Sequence, residues 1–407
     1  MRHHLALFPA FLACVAAGGA WAQDDIWTRK TLLDSPGGPK QELAAKGVDL
    51  GFDVTQFVQG LSGSGKGWPS GGKADLRFRL DGQKLGTWAG FFVTGHAEYN
   101  YGSSANQDAA GLNIIAVNTA LAFPSLNSSM ISLLFTQAFS PTTTLTVGLF
   151  NMFDVASRRP LAGGGGIDTF WNLALAAPLT NITPPYIYGA SFNTKVDGIG
   201  SFGLFIYDPR DAQNLNVIRN LFSDGAVYSA TASFPITIAG LNGNQNLRLA
   251  YSTQDGIDLS TLPPGVGNPV GYKTDRWYVQ YSFEQFLVQD PNNPTISWGL
   301  FGQFGYSDGN PNAFQKHGFI GLAGNNLMAD RQLDRWGVGY FSYQLSDAFK
   351  NTLPIFNQLD PDMGVEAFYN WAVTPWFRLT ADAQWERPFN GRDNNYYFGL
   401  RAQFKIF

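Results

Sequence analysis

Cysteine is almost missing from this sequence: Cys14 is the only one in 407 residues. Past that point the chain can form no disulfide, no thiolate metal site and no cysteine nucleophile. Long apolar runs are missing too. After residues 5–15 nothing approaches the roughly 20 consecutive apolar residues that a helical membrane span requires. Charged residues are only 14% of the chain, of both signs, with a formal net charge of −4. That balance gives no reason to expect nucleic acid or a strongly anionic cargo. Histidine is scarce as well: His3 and His4 stand at the very start, which leaves His96 and His317 for any imidazole chemistry.

The start of the chain has its own logic. Met1-Arg2-His3-His4, a short apolar stretch and then Ala20-Trp21-Ala22 before Gln23 spell a secretory signal peptide over residues 1–22. The apolar stretch is too short for a membrane anchor. Phe11-Leu12-Ala13-Cys14 is a weaker match to a lipoprotein cleavage box, with Phe where Leu is expected. Residues 23–47 read as a short periplasmic or plug segment, and residues 48–407 as one barrel.

What the sequence does have is aromatic side chains at 15%, 46 glycines and a mean hydropathy of −0.11. These fit strands with one face in lipid and the other in water. Alternation of period two runs from Val48 to the end. Residues 73–80 read Lys-Ala-Asp-Leu-Arg-Phe-Arg-Leu, and residues 377–386 read Phe-Arg-Leu-Thr-Ala-Asp-Ala-Gln-Trp-Glu. About sixteen such segments can be marked, most close to the ~9–11 residues of a tilted transmembrane strand. The fourth and twelfth are the faintest.

Connection lengths give an independent sign. Gaps at 81–86, 139–143, 196–199 and 373–375 are short, while those after Tyr101, Met152 and Ser252 are long. Transmembrane barrels alternate short periplasmic turns with long outer loops. Trp277, Trp298, Trp336, Trp371 and Trp385 lie near segment ends on the apolar parity, where indole suits a membrane interface. Trp88 and Trp376 fall on the other parity, and the terminal Phe407 falls one residue past the outward-facing Ile406. The expected fold is all-β: a transmembrane antiparallel barrel of about sixteen strands with an in-folded constriction loop, set in the bacterial outer membrane.

Several stretches also resemble a known family. Val365-Glu366-Ala367-Phe368-Tyr369-Asn370-Trp371, the turn Val373-Thr374-Pro375-Trp376, Arg387-Pro388 and Gly399-Leu400-Arg401 resemble the carbohydrate-selective porins of the OprB family. Leu43-Ala44-Ala45-Lys46-Gly47-Val48, residues 145–152 and Trp336-Gly337-Val338-Gly339-Tyr340 extend the likeness over most of the chain. Departures are Asp25-Ile26-Trp27-Thr28, where Trp-Gly-Gly is often seen, and the glycines at 163–166. The resemblance implies a sixteen-stranded outer-membrane barrel that takes up monosaccharides and related compounds.

If the alternation separates lipid from lumen, the wet face includes Asp75, Arg77, Arg79, His96, Glu98, Asn100, Arg248, Arg276, Glu366, Asn370, Arg378, Asp382, Gln384 and Glu386. Rings of one sign would select ions; a mixed lining suits a neutral, hydroxylated solute. The 153–185 connection is the expected constriction, since long connections without their own structure tend to be functional. It carries Arg158, Arg159, Asp168, Trp171 and Asn172. Trp171 beside Arg77 or Arg79 and Glu98 is the expected narrowest point, with the indole stacking on a pyranose.

Other classes weigh less. Residues 60–66 approach a phosphate-binding loop, but Gly67 replaces the required Ser or Thr and Trp68-Pro69 blocks a helix start. A barrel hydrolase would need a nucleophile beside a histidine, or paired carboxylates. A secreted β-rich binding protein would not alternate its loop lengths. We therefore expect no enzyme, no metal and no cofactor, but a passive pore for small neutral solutes, sugars first, or for other uncharged or weakly charged compounds. Its expected partners are outer-membrane lipid, small sugars, the outer-membrane assembly machinery and, through an aromatic outer face, further copies of itself.

Overall fold

A computed structural model describes residues 26–407 apart from positions 36, 64, 66, 108–114, 264–268, 329 and 390–393, with only the backbone described at 355. The signal peptide, Cys14 and part of the glycine-rich 60–66 stretch lie outside the described residues. Sixteen strands close into one antiparallel barrel. In chain order they are β1 (Val48–Leu61), β2 (Ser70–Asp81), β3 (Phe91–Gly102), β4 (Ser128–Ala138), β5 (Thr143–Asn151), β6 (Tyr186–Val196), β7 (Gly200–Tyr207), β8 (Val227–Ile238) and β9 (Leu241–Ser252). After a two-residue ribbon, β10 (Gly256–Ile257) with β11 (Tyr272–Lys273), the wall resumes with β12 (Arg276–Gln289), β13 (Ser297–Ser307), β14 (Phe314–Asn325), β15 (Arg335–Leu345), β16 (Asp362–Ala372), β17 (Phe377–Arg387) and β18 (Asn395–Lys405). The two faint segments of the sequence are β4 and β14.

Closure joins β1 to β18 in the register Asp53↔Lys405 to Leu61↔Tyr397. Every barrel strand then has two neighbours, and the barrel has no edge left to template aggregation. Within each strand the two faces meet different surroundings. In β18, Tyr396, Phe398 and Leu400 point outward, Leu400 with 65% of its surface bare. Tyr397 and Arg401 between them are buried inside. An apolar surface this continuous would aggregate in water; here it meets hydrocarbon. Trp298 and Trp336 pack at 5.7 Å at the end that carries Trp371, while Trp277 and Trp385 mark the opposite end, giving two aromatic belts.

The start of β1 and the end of β18 share the rim with the short turns, such as Ala239-Gly240, where both φ angles are positive (52° and 78°). Such a turn matches the twist of a hairpin. Leu32 and Leu33 donate to the carbonyls of Lys405 and Ile406, and Lys40 lies 5.6 Å above the Phe407 ring. By the rule of short periplasmic turns this is the periplasmic rim. The long connections, among them 103–127, 152–185, 208–226 and 253–275, begin and end at the other rim.

Candidate functional site

The 152–185 segment does fold into the lumen. Leu161, Phe170, Leu173, Ala174 and Leu175 pack on Phe301, Phe319, Phe341 and Phe368 of the inner wall, with ring centroids 4.9 Å apart for Phe170 and Phe368. Glycines make room for it. A Cβ at Gly399 would come 2.5 Å from the Trp171 ring, and one at Gly339 would come 2.9 Å from Leu175. Polar ties fix its position. The Glu366 carboxyl group accepts the N–H groups of Trp171 at 2.5 Å and Asn172 at 3.0 Å. Asn172 Nδ2 donates to Gln384 Oε1, and Asn370 Nδ2 donates to the Asp168 carbonyl. Arg401 donates to the carbonyls of Gly166 and Thr169.

A second segment joins it. Ile115, Val117, Ala120 and Leu121 of the 103–127 connection are also buried inside the barrel. Thr119 N–H donates to the Trp171 carbonyl and Leu173 N–H to the Ala116 carbonyl. The sequence marked this connection only as long. The signal available in hindsight is its Val117-Asn118-Thr119 stretch, where Asn118 caps a short helix through the Leu121 N–H.

Together the two segments fill one side of the lumen and leave a channel of about 1250 Å³ along the other. This sorts ten of the twelve expected site residues into two groups. Arg77, Arg79, His96 and Arg158 line the channel. Glu98, Asn100, Trp171, Asn172, Glu366 and Asn370 are buried behind or beneath the inserted segments. Trp171 therefore does not offer a face to a sugar: it is 0% exposed, meets Phe57 edge-on at 5.2 Å and lies under the Arg401 guanidinium. Glu98 is equally removed, bound by Lys73 at 2.6 Å, Asn151 at 2.8 Å and Tyr186 at 2.9 Å. The proposed narrow point of Trp171, arginine and Glu98 is corrected accordingly. Part of the polar wall that the sequence pointed to, Glu98 and Glu366 included, is what the insertion covers.

Asp168 and Arg378 sit toward the periplasmic side. Arg378 donates to the Leu333 carbonyl and to Asn370 Oδ1. Burial pushes the Asp168 carboxyl upward, but the charges of Lys405, Arg378, Arg335 and Arg401 outweigh it and hold the group below its ordinary range.

At the channel itself, the start of the inserted segment is clamped to the wall. His96 of β3 faces Asp75 through Nε2 at 2.8 Å and Asp154 through Nδ1 at 2.9 Å. Asp75, His96 and Glu98 bring three ligand-type atoms together, yet the Lys73 ammonium, 2.6 Å from Glu98 and 4.0 Å from Asp75, already supplies the positive charge there. Asp154 was not singled out by sequence; it is an unremarkable acid until the fold sets it against His96. Burial alone would raise its pKa, but the hydrogen bond and charge of His96, with Arg77 and Lys73 behind, hold it below the ordinary value. A depressed carboxyl contributes its stabilisation above the unfolded pKa and loses it as pH falls through the folded value. The clamp is thus expected to persist at about pH 4, where an ordinary Asp is half protonated, and to fail only in stronger acid. Single-channel noise recorded down the pH scale checks this; D154N is expected to be noisy already at neutral pH.

Across the channel from the inserted segment the wall is mostly hydroxyl and amide, with Arg248 among them. Thr136 and Thr146 hydrogen-bond at 3.0 Å, Asn193 donates to Ser191 at 2.9 Å, and Asn244 bridges Ser233 and Asn246. All belong to the lining, with Thr231 and Ser282.

A closed sixteen-stranded barrel, apolar outside and carrying a wet channel narrowed by an inserted loop, is the architecture of an outer-membrane porin. The family model described as carbohydrate-selective porin, OprB family, matches residues 68–406, and the chain belongs to that family. In fold it is similar to the high-pH structure of Pseudomonas putida OprB, at 17% identity and a TM-score of 0.80 over 94% of this chain and 100% of that one. The low-pH structure of the same protein matches at 15% identity and a TM-score of 0.55, over 93% of this chain and 99% of that one. No curated protein matches the chain in sequence. The protein is an outer-membrane channel for small solutes.

Proposed function

We propose that the barrel passes monosaccharides and other small neutral polyols by passive diffusion, along the hydroxyl- and amide-lined side of the channel. The observation that carries this reading is the neutral wall of Thr136, Thr146, Ser191, Asn193, Thr231 and Asn244. A hexose must exchange part of its hydration shell to enter a narrow lumen, and fixed donors and acceptors of both kinds can replace that water without holding the sugar tightly. Release matters as much as capture, so affinity for any one position stays weak.

A catalytic reading has less to stand on. His96 faces two carboxylates, and His317 is buried between Tyr278, whose hydroxyl meets Nε2 at 2.7 Å, and Tyr343. Both ring nitrogens of His96 face carboxylates, and the Ser132 hydroxyl beside it donates to the His96 main-chain carbonyl rather than to the ring. Proteoliposomes test the reading: they are expected to swell in isosmotic glucose faster than lipid-only vesicles, and more slowly as saccharide length grows. Equal swelling with and without the protein would contradict it.

A further inference from the structure

We infer that this channel prefers monosaccharides bearing a negative charge, such as those with a carboxylate or phosphate group, over neutral sugars of the same size. This rests on the reading of the barrel as a sugar channel and adds a charge preference to it. The observation is an imbalance in how the charges along the lumen are spent. Five arginines line it, Arg77, Arg79, Arg158, Arg159 and Arg248, against three carboxylates, Asp49, Asp154 and Glu284. Asp154 is held by His96. Glu284 is buried and accepts the Leu161 N–H at 3.1 Å. Asp49 lies directly across the β1–β2 ladder from Arg79. Two of the arginines face the channel where the excess matters most. Arg158, on the inserted segment, is exposed to the channel and has no carboxylate within ion-pair distance among the described residues. Arg248, on β9, donates to Ser229 Oγ at 3.1 Å, Thr183 Oγ1 at 2.7 Å and Tyr207 Oη at 3.2 Å, all neutral, and lies 5.8 Å from the Tyr278 ring centre.

The lumen therefore carries uncompensated positive charge on the inserted segment and on the opposite wall. Screening does not remove it. The Debye length at physiological salt is about 8 Å, and a low-dielectric wall focuses the field inside the channel. Guanidinium groups present flat, forked donors that match carboxylate and phosphate oxygens. A solute passing Arg248 also meets Thr183 and Ser229, hydroxyls suited to the polyol part of the same molecule.

Planar-bilayer recordings with the whole protein give the test. Under a tenfold KCl gradient the reversal potential is expected to show chloride favoured over potassium severalfold, and gluconate is expected to block the current at lower concentration than glucose. R158Q and R248Q should each move the reversal potential toward zero, and the double variant further. Because R248Q removes three hydrogen bonds inside the barrel, R158Q serves as the variant least exposed to misfolding. A wild-type channel without chloride preference, or one whose reversal potential is unmoved by R158Q, overturns the inference. If glucose still permeates in that case, the sugar-channel reading stands; if glucose neither permeates nor blocks, that reading falls as well.

Discussion

Replacing Glu366 by Ala is expected to release the inserted segment from the wall and raise the open-channel conductance severalfold. Glu366 is fully buried on β16, and its carboxyl oxygens accept the Trp171 and Asn172 N–H groups. Both donors belong to fully buried residues. Leaving a buried donor without its partner costs about 1–3 kcal/mol for each donor. The inserted segment cannot keep its place at that cost, while the barrel wall, closed by its own ladders, can persist without it. Single-channel conductance and the rate of swelling with oligosaccharides larger than hexoses should both increase. E366Q, which keeps one carbonyl acceptor but turns a donor toward a donor, should fall between wild type and E366A. An E366A channel of ordinary conductance would show that the segment is held elsewhere.

The second large effect concerns Trp171. Its replacement by Ala leaves a void between Phe57, Arg401 and Gly399, and truncating a buried tryptophan costs about 3–5 kcal/mol. The barrel should lose heat resistance on electrophoresis, and the channel should widen through a loosened segment. W171F should be far milder: it fills most of the space and removes an indole N–H that has no partner among the described residues. A stacking platform exposed to solute would show the opposite order of symptoms, with sugar block weakened and stability unchanged. G399V makes the same point from the other side, because its added carbon atoms compete for the space of the Trp171 ring. It should mimic W171A in heat resistance.

The barrel was legible in the sequence because lipid and lumen impose opposite chemistry on neighbouring residues, as in Leu400 and Arg401, and because a span fixes strand length. The in-folded segment was legible too, from the length of the 153–185 connection. What the alternation cannot express is that the inner face has two fates. Glu366 and Asn370 on one arc are covered by protein, while Thr146 and Asn193 on the other face open water; along the strand both read as polar. Charged residues attract attention in a sequence, so Glu98 and Glu366 stood out as solute ligands, although burial is what gives each its role as a fastener. Threonines and serines stand out less, and they form the exposed wall. Trp171 misled for a related reason: nothing in the chain near 171 shows that Gly399 and Phe57 wait to receive its ring. The insertion of 103–127 depends on contacts such as Gln59 and Gln384 with the Val117 carbonyl, which join residues far apart in the chain.

The account stands on a wet passage surviving beside the inserted segment, wide enough for a hexose and narrow enough that the hexose displaces ions while it is inside. Single-channel current under titrated glucose measures that directly. Current is expected to fall in a saturable manner at millimolar or higher sugar, with block weakened in T146V or N193L, where the neutral wall loses its hydroxyl or amide. Current that is independent of glucose at every concentration, through a channel that conducts ions normally, would contradict it.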